Sequence, residues 1–286
     1  MERLFFIEKS FENNKEIAVY EREGRDILSF WGIKDENITS YSIFEGTSMV
    51  FRICFSELYE SFLGPNKKLK LQTLVIPSSV RLIRTADLPL SLCDIINYSP
   101  HFVIENKTLF TKGKKELIRC YDFYNDDKYV IPNEVELIRR DAFHSCRFNR
   151  IVLGHSVCKI EGNPFMNMIS SEVLNLESVS DFFYVDWEGG LYSTERELIA
   201  FVGEGEEYHV ADGTKSIRDG AFSGTNVRRI WLPASIKGFN IDKYFPIDNI
   251  LFIIPDELKY YYWDSHIVDE MTYRLNTKHV KYTGEF

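Results

Sequence analysis

The fifteen residues YVIPNEVELIRRDAF (129–143) return farther along as YHVADGTKSIRDGAF (208–222), aligned without a gap. The correspondence continues beyond them at the same offset. Ile151-Val152-Leu153 falls on Ile230-Trp231-Leu232, and Ser156-Val157 falls on Ser235-Ile236. An internal repeat of this length constrains the fold more than any local motif, because each copy needs its neighbours to bury its apolar face.

A shorter beat runs inside the long one. LQTLVIP (71–77), FNRIVLG (148–154), VRRIWLP (227–233) and DNILFIIP (248–255) are short apolar stretches closed by Pro or Gly. Their last positions alternate as a strand does, and the closing Pro offers no ladder donor. Strand ends are expected at Ile76, near Ile95, and at Ile131, Leu153, Leu176, Val210, Leu232 and Ile254. From Ile131 onward these ends are evenly spaced, apart from one longer gap between Leu176 and Val210. A coil as short as the step from Ile131 to Leu153 cannot hold a full crossover helix, so its return path is a turn or at most a short helix. Each long gap carries a hairpin pattern, in FVIENKTLFTKGKKELI (102–118) and in FYVDWEGGLYSTERELI (183–199).

These residues resemble the BspA-type leucine-rich repeat family of bacterial proteins. Its phrase stands here as Ile131-Pro132, Val135, Ile138, Ala142-Phe143, Cys146, Phe148, Ile151 and Leu153. LYSTERELI is similar to the family's inter-repeat hairpin, and IIPDELKYYYWDSH is similar to its closing phrase. Two copies depart from it: KIEGNPF has Pro164 in place of Ala, and LIRTADL has Leu88 in place of Phe. The expected architecture is α/β and β-rich, a curved leucine-rich-repeat solenoid with its parallel sheet on the concave face. Residues 66–255 form that solenoid, between an N-terminal capping region at 1–65 and a C-terminal cap at 256–286. Within 1–65, KEIAVYEREGRDILSF suggests a hairpin turning near Glu23-Gly24, and SELYESFL suggests a short helix capped by Ser56.

The net charge of -9 argues against a nucleic-acid partner, which needs a basic stripe. No apolar run approaches the roughly 18 residues of a membrane span. Only four consecutive apolar residues precede Glu8, so no signal peptide is visible, and the visible sequence points to the cytoplasm. The resemblance implies instead a cell-surface or secreted protein. Five cysteines without a CxxC pair suit reduced thiols, and the six histidines show no ligand spacing, so neither a metal nor a cofactor is expected. The string VLGHSVC (152–158) begins like a nucleophile elbow, but Cys158 stands where its second glycine belongs. The repeat itself accounts for Ser156, and no catalytic constellation can be assembled.

What remains is surface. Outward strand positions should form columns across successive coils: Val75, Val130, Val152, Asn175, His209, Trp231 and Ile253 in one, with Thr73, Arg150, Arg229 and Leu251 two positions earlier. Trp and Arg are favoured interface anchors. Trp231, Arg229, Arg228, Arg150, Val152, His209 and Val75 are therefore the expected contacts of a protein or peptide partner on the concave face. The resemblance implies a non-catalytic interaction module that binds host or surface proteins. The alternative is a carbohydrate-binding module, with Trp187, Trp231 and Tyr260 to Trp263 as stacking platforms.

Overall fold

A computed structural model describes residues 3–10, 14–24, 27–53, 69–84, 88–123, 128–166, 168, 174–236, 238–239, 250–256 and 280–285. The chain divides into two compact units, Met1–Tyr124 and Asn125–Phe286. Among the described residues helix is confined to short 3-10 turns such as Lys112–Lys114 and Thr283–Glu285.

The first unit opens with an antiparallel meander of β1 (Arg3–Lys9), β2 (Glu16–Glu23) and β3 (Ile27–Ile33). The β2–β3 turn lies where the sequence places it, with Gly24 at φ 64. The chain then alternates between two sheets. β5 (Thr47–Val50) and β7 (Leu82–Ile83) add to the meander in the order β1-β2-β3-β5-β7. A separate parallel sheet takes β4 (Ser40–Ser42), β6 (Thr73–Ile76) and β8 (Asp94–Asn97). A second meander, β9 (Phe102–Glu105), β10 (Thr108–Thr111) and β11 (Glu116–Cys120), completes the unit.

The second unit follows the same rule. β12 (Lys128–Val130), β14 (Arg150–Leu153) and β16 (Asn175–Ser178) form a parallel sheet, and β13 (Leu137–Ile138) pairs β15 (Lys159–Ile160). A third meander of β17 (Phe183–Val185), β18 (Gly190–Ser193) and β19 (Glu197–Phe201) is extended in parallel by β21 (Ser216–Ile217) and β23 (Gly238–Phe239). The other sheet resumes with β20 (Glu207–His209), β22 (Arg229–Trp231), β24 (Leu251–Ile254) and β25 (Val280–Tyr282). Each coil thus gives one strand to each of two sheets, which is a parallel β-solenoid interrupted by antiparallel meanders.

Register fixes the coil length. Lys128 pairs Arg150, Glu207 pairs Arg229 and Arg229 pairs Leu251, three equal steps that match the spacing of the strand ends in the sequence. One expected step differs. Leu153 pairs Ser178, not Leu176, so that coil is longer than its neighbours. The extra pair keeps Leu176 on the inner face while moving the register by two, which apolar alternation alone cannot detect. In the first unit Ser40 pairs Thr73 across a longer excursion, and Ile76 pairs Asn97.

The inner positions form the core. Tyr129, Ile131, Ile138, Ile151, Leu153 and Ile160 are buried, as are their counterparts Tyr208, Val210, Ile217, Ile230 and Leu232. Ala142-Phe143 and Ala221-Phe222 are buried at the corners, and Cys146 lies in the core as its spacing suggests. Asp141 and Ser145 take left-handed φ of 58 and 64°, and in the later copy Gly220 and Gly224 take 74 and 83°. The corner demands that conformation at both positions, which explains why glycine replaces Asp and Ser in the later copy. The departure at Pro164 is absorbed: Phe165 stacks on Phe143 at 5.7 Å, and buried Asn163 donates to the Gly220 carbonyl at 2.9 Å.

Residues 1–65 are more than an appended segment among their described residues. Each meander carries a β-bulge at the same place in its third strand, where Trp31, Ile118 and Ile199 are the extra residues opposite Val19-Tyr20, Leu109-Phe110 and Leu191-Tyr192. In the first and third meanders the middle strand sets a buried tyrosine opposite this bulge, Tyr20 and Tyr192. The Tyr20 hydroxyl lies 2.7 Å from that of Tyr41, which donates to Glu8 Oε2 at 2.5 Å. The Tyr192 hydroxyl lies 2.6 Å from that of Tyr208, which donates to Asp186 Oδ2 at 2.7 Å. The expected Ser56-capped helix lies outside the described residues.

Candidate binding surface

The outer side of the parallel strands positions the expected contacts, since residues on either side of a buried one face away from the core. In the second unit, β20 and β22 set Glu207 beside Arg229 and His209 beside Trp231. The His209 ring stacks on the Trp231 indole, centroids 5.3 Å apart and planes 9° from parallel. His209 is exposed, while Trp231 is half-buried and its ring nitrogen is inaccessible. The four side chains form one outward cluster across two strands.

The arginines do not stand alone. Arg229 Nη2 lies 2.6 Å from Glu207 Oε1, and Arg228 Nη1 lies 3.7 Å from Glu206 Oε1. Arg150 Nη2 lies 2.7 Å from Glu177 Oε1. The hydrogen bond from Arg150 holds the Glu177 carboxyl below its ordinary range. Each expected cation is matched by a carboxylate on a neighbouring coil, so the face presents exposed ion pairs and not a net positive stripe. Such pairs contribute little to stability and leave their charges free to exchange partners.

Two members of the expected column are covered. Val152 is 8% exposed and Ile253 is 0% exposed, so this face is not open along its whole length. The neighbour of Val152 is Glu177, and Asn175 pairs with Arg150 instead, a correction that follows from the longer coil. Val75 belongs to the first unit, where it is half-buried between Ser42 and Ile96. Its sheet, β4-β6-β8, includes neither Arg150 nor Trp231. Trp231, Arg229 and His209 do come together, Arg228 pairs instead with Glu206, and Arg150 and Val152 lie on another sheet.

Sequence reasoning passed over another exposed group. Val179, Phe182 and Tyr184 are exposed around the entry to the third meander, with Tyr184 stacked on Tyr192 at 5.3 Å. Trp187, at 90% exposure, is the most accessible large apolar side chain among the described residues. The strand-corner motif behind this group is a repeat in its own right. Ser180 Oγ donates to the Val157 carbonyl and accepts from Phe182 N, as Ser99 Oγ does with the Val80 carbonyl and His101 N.

The sequence profile described as BspA type Leucine rich repeat region matches in 6 copies, with residues 116–184 matched. Residues 116–184 are thus similar to BspA-type leucine-rich repeats. Those repeats supply β11 to β17, the part of the molecule in which the regular coil step is first established. No curated protein matches the chain. Among solved structures, the chain is similar to a leucine rich cell surface protein from Faecalibacterium prausnitzii, at 20% identity over 73% of this chain, with a TM-score of 0.44. The chain spans 61% of that protein's length. It is also similar to a leucine-rich repeat protein from Eubacterium ventriosum (14% identity, 89% of this chain, 69% of that one, TM-score 0.38). A third similar structure is the pneumococcal vaccine antigen PcpA (14%, 86%, 66%, TM-score 0.41).

Among the described residues no three His, Cys, Asp or Glu side chains are grouped to hold a metal ion. No described helix is long and apolar enough to cross a membrane. Ser156 is exposed in a turn between β14 and β15, with Val157 buried beside it, matching Ser235 and Ile236 in the later copy.

Proposed function

We propose that the chain is a non-catalytic protein-interaction module, and that the outer face of β20 and β22 is a contact surface for a protein or peptide partner. The stacked His209–Trp231 pair, flanked by Arg229 and Glu207, carries this reading. An aromatic pair held flat on a rigid sheet loses little conformational freedom on binding, and Trp and Arg are the residues that most often anchor an interface. The chain's charge of -9 and the pairing of its outward arginines favour a protein over a nucleic acid. The segments 1–65 and 256–286 are read as closing the two ends of the stack, since an open solenoid end exposes core. The pairing of β25 with β24 supports this at the C-terminal side.

A photo-crosslinking residue placed at His209, compared with one at exposed Glu161 on a different turn, tests the surface. Partner adducts are expected at position 209, suppressed by excess unlabelled protein and by Trp231→Ala. Equal labelling at both positions, or labelling indifferent to Trp231, would move the contact off this face.

A further inference from the structure

The parallel ladder of the second unit has a break. β16 is the last strand of β12-β14-β16, and β20 is the first of β20-β22-β24-β25. The third meander occupies the sequence between them, and a cavity of about 470 Å³ opens at this break. Asn175 and Leu176 of β16 line it on one side and Glu207 of β20 on the other, with Val185 to Gly189, Gly203 and Glu204 completing the wall. Among the described residues both bordering strands end their sheets, so each has an edge without a described neighbouring strand.

The chemistry of this cavity has one sign. Asp186, Glu188, Glu204 and Glu207 line it, and none of the described lining residues is basic. Two of the four carboxylates are committed: Asp186 accepts from Tyr208 and from the backbone of Glu188 and Gly190, and Glu207 pairs with Arg229. Glu188 and Glu204 remain to set the local field. Trp187 stands beside them with its indole 90% exposed. An exposed indole next to uncommitted carboxylates suits a cation on an apolar stem, which can lie on the ring while its charge meets the acids. A neutral sugar would use the ring and leave the field unanswered.

We propose that this cavity receives a lysine or arginine side chain of an extended peptide segment, whose backbone runs along the free edge of β16 or β20. The proposal rests on the interaction-module reading and adds the chemistry of the partner. Strand addition supplies the backbone hydrogen bonds, and the cavity supplies the preference for a basic residue. Gly203 keeps the wall in place: a Cβ there would lie 1.8 Å from the Glu188 carbonyl oxygen, so the two loops can approach only without a side chain.

The test uses the full chain and fluorescence anisotropy of a labelled alternating Lys–Val octapeptide. An alternating Glu–Val octapeptide and the neutral oligosaccharide maltohexaose serve as comparisons. The Lys–Val peptide is expected to bind at least about tenfold more tightly than the Glu–Val peptide. Trp187→Ala should weaken it about tenfold, or about 1.4 kcal/mol, with far-ultraviolet dichroism unchanged. Glu188→Gln with Glu204→Gln should also weaken it and flatten its salt dependence. Equal affinity for the two peptides, or binding indifferent to Trp187→Ala, overturns the proposal. Maltohexaose binding that Trp187→Ala abolishes overturns it in favour of a sugar site. If the cavity variants fail while crosslinking through position 209 persists, this inference falls alone. If both fail, the interaction-module reading falls with it.

Discussion

The first and third meanders solve the same problem with different sequences. In each, a buried middle-strand tyrosine lies opposite a bulge of the third strand, and an aromatic ring of the first strand stacks on it: Phe6 on Tyr20 at 5.5 Å, Tyr184 on Tyr192 at 5.3 Å. In each, a backbone N–H three positions after the second tyrosine donates to the first, Phe44 N to Tyr20 and Ala211 N to Tyr192. The hydrogen-bond chain then ends on a carboxylate, Glu8 in one and Asp186 in the other. The difference lies in what else that carboxylate does. Glu8 belongs to strand β1, whereas Asp186 also holds a turn through the N–H groups of Glu188 and Gly190. A solenoid module is therefore defined by how its buried phenols are satisfied, and the residue that supplies the final acceptor is free to change.

The sharpest way to break this comparison is steric. The middle strands read Ala18-Val19-Tyr20 and Gly190-Leu191-Tyr192. A Cβ at Gly190 would stand 2.0 Å from the Tyr208 hydroxyl and 2.8 Å from Asp186 Oδ2. Gly190→Ala is expected to cost about 3 kcal/mol, because it overpacks the site and breaks a buried hydrogen bond at once. Ala18→Gly at the matching place should cost only about 1 kcal/mol, for a lost methyl and a looser strand. Urea midpoints measure both. Similar losses would show that the two networks do not differ in the way described.

Removing the donating hydroxyl is the next largest change. Tyr208→Phe and Tyr41→Phe each leave a carboxylate without its phenol, at about 1 to 3 kcal/mol. The loss should be larger for Tyr208→Phe, since Asp186 must then hold its turn with one partner fewer. The reverse order would place the greater strain on Glu8.

The same hydroxyls predict alkaline behaviour. Burial pushes Tyr20 and Tyr192 up to about 12, and burial with the neighbouring phenol raises Tyr41 and Tyr208 further, all from an ordinary value of 10.0. A raised folded-state pKa means that the native state holds the proton more tightly. The resulting stability is fully present below pH 10 and is lost as pH rises through the raised values. Tyrosinate absorbance should reveal a late-ionising class that appears together with loss of secondary structure. Ionisation of all 16 tyrosines near their ordinary value with the fold intact would contradict this.

How far the sequence revealed this follows from the kind of signal each part left. The regular coil step, the corners and the meanders at 102–118 and 183–199 were readable, because packing reuses large apolar residues at fixed spacing. Of the first meander only the β2–β3 hairpin was recognised, because its third strand sets Phe30 and Gly32 where the third meander sets Leu198 and Ala200. Its carboxylate comes from Glu8, on the far side of the hairpin, so the phrase around it no longer aligns. The register slip at Leu176 escaped because a two-residue shift preserves alternation. Of the expected contacts, Trp231 and His209 lie together as columns require, while the pairing of each arginine with a carboxylate on the next coil needs three dimensions to see.

The smallest expected effect separates Trp187 from Trp231. Trp187 is 90% exposed, so Trp187→Ala should move the folding free energy by less than about 0.5 kcal/mol, as at most surface sites. Trp231 is different in kind: it is half-buried, its ring nitrogen is covered, and His209 stacks on it. Trp231→Ala should therefore cost about 1 kcal/mol or slightly more, through lost stacking and apolar burial. This sets the scale on which binding is judged. A partner bound through β20 and β22 must lose affinity in Trp231→Ala by more than the change in folding can explain, whereas any loss in Trp187→Ala reports on contact alone. Equal stability changes in the two variants would mean that the indole of Trp231 contributes nothing to the sheet, and that its half-buried position is not what holds the His209 ring flat against it.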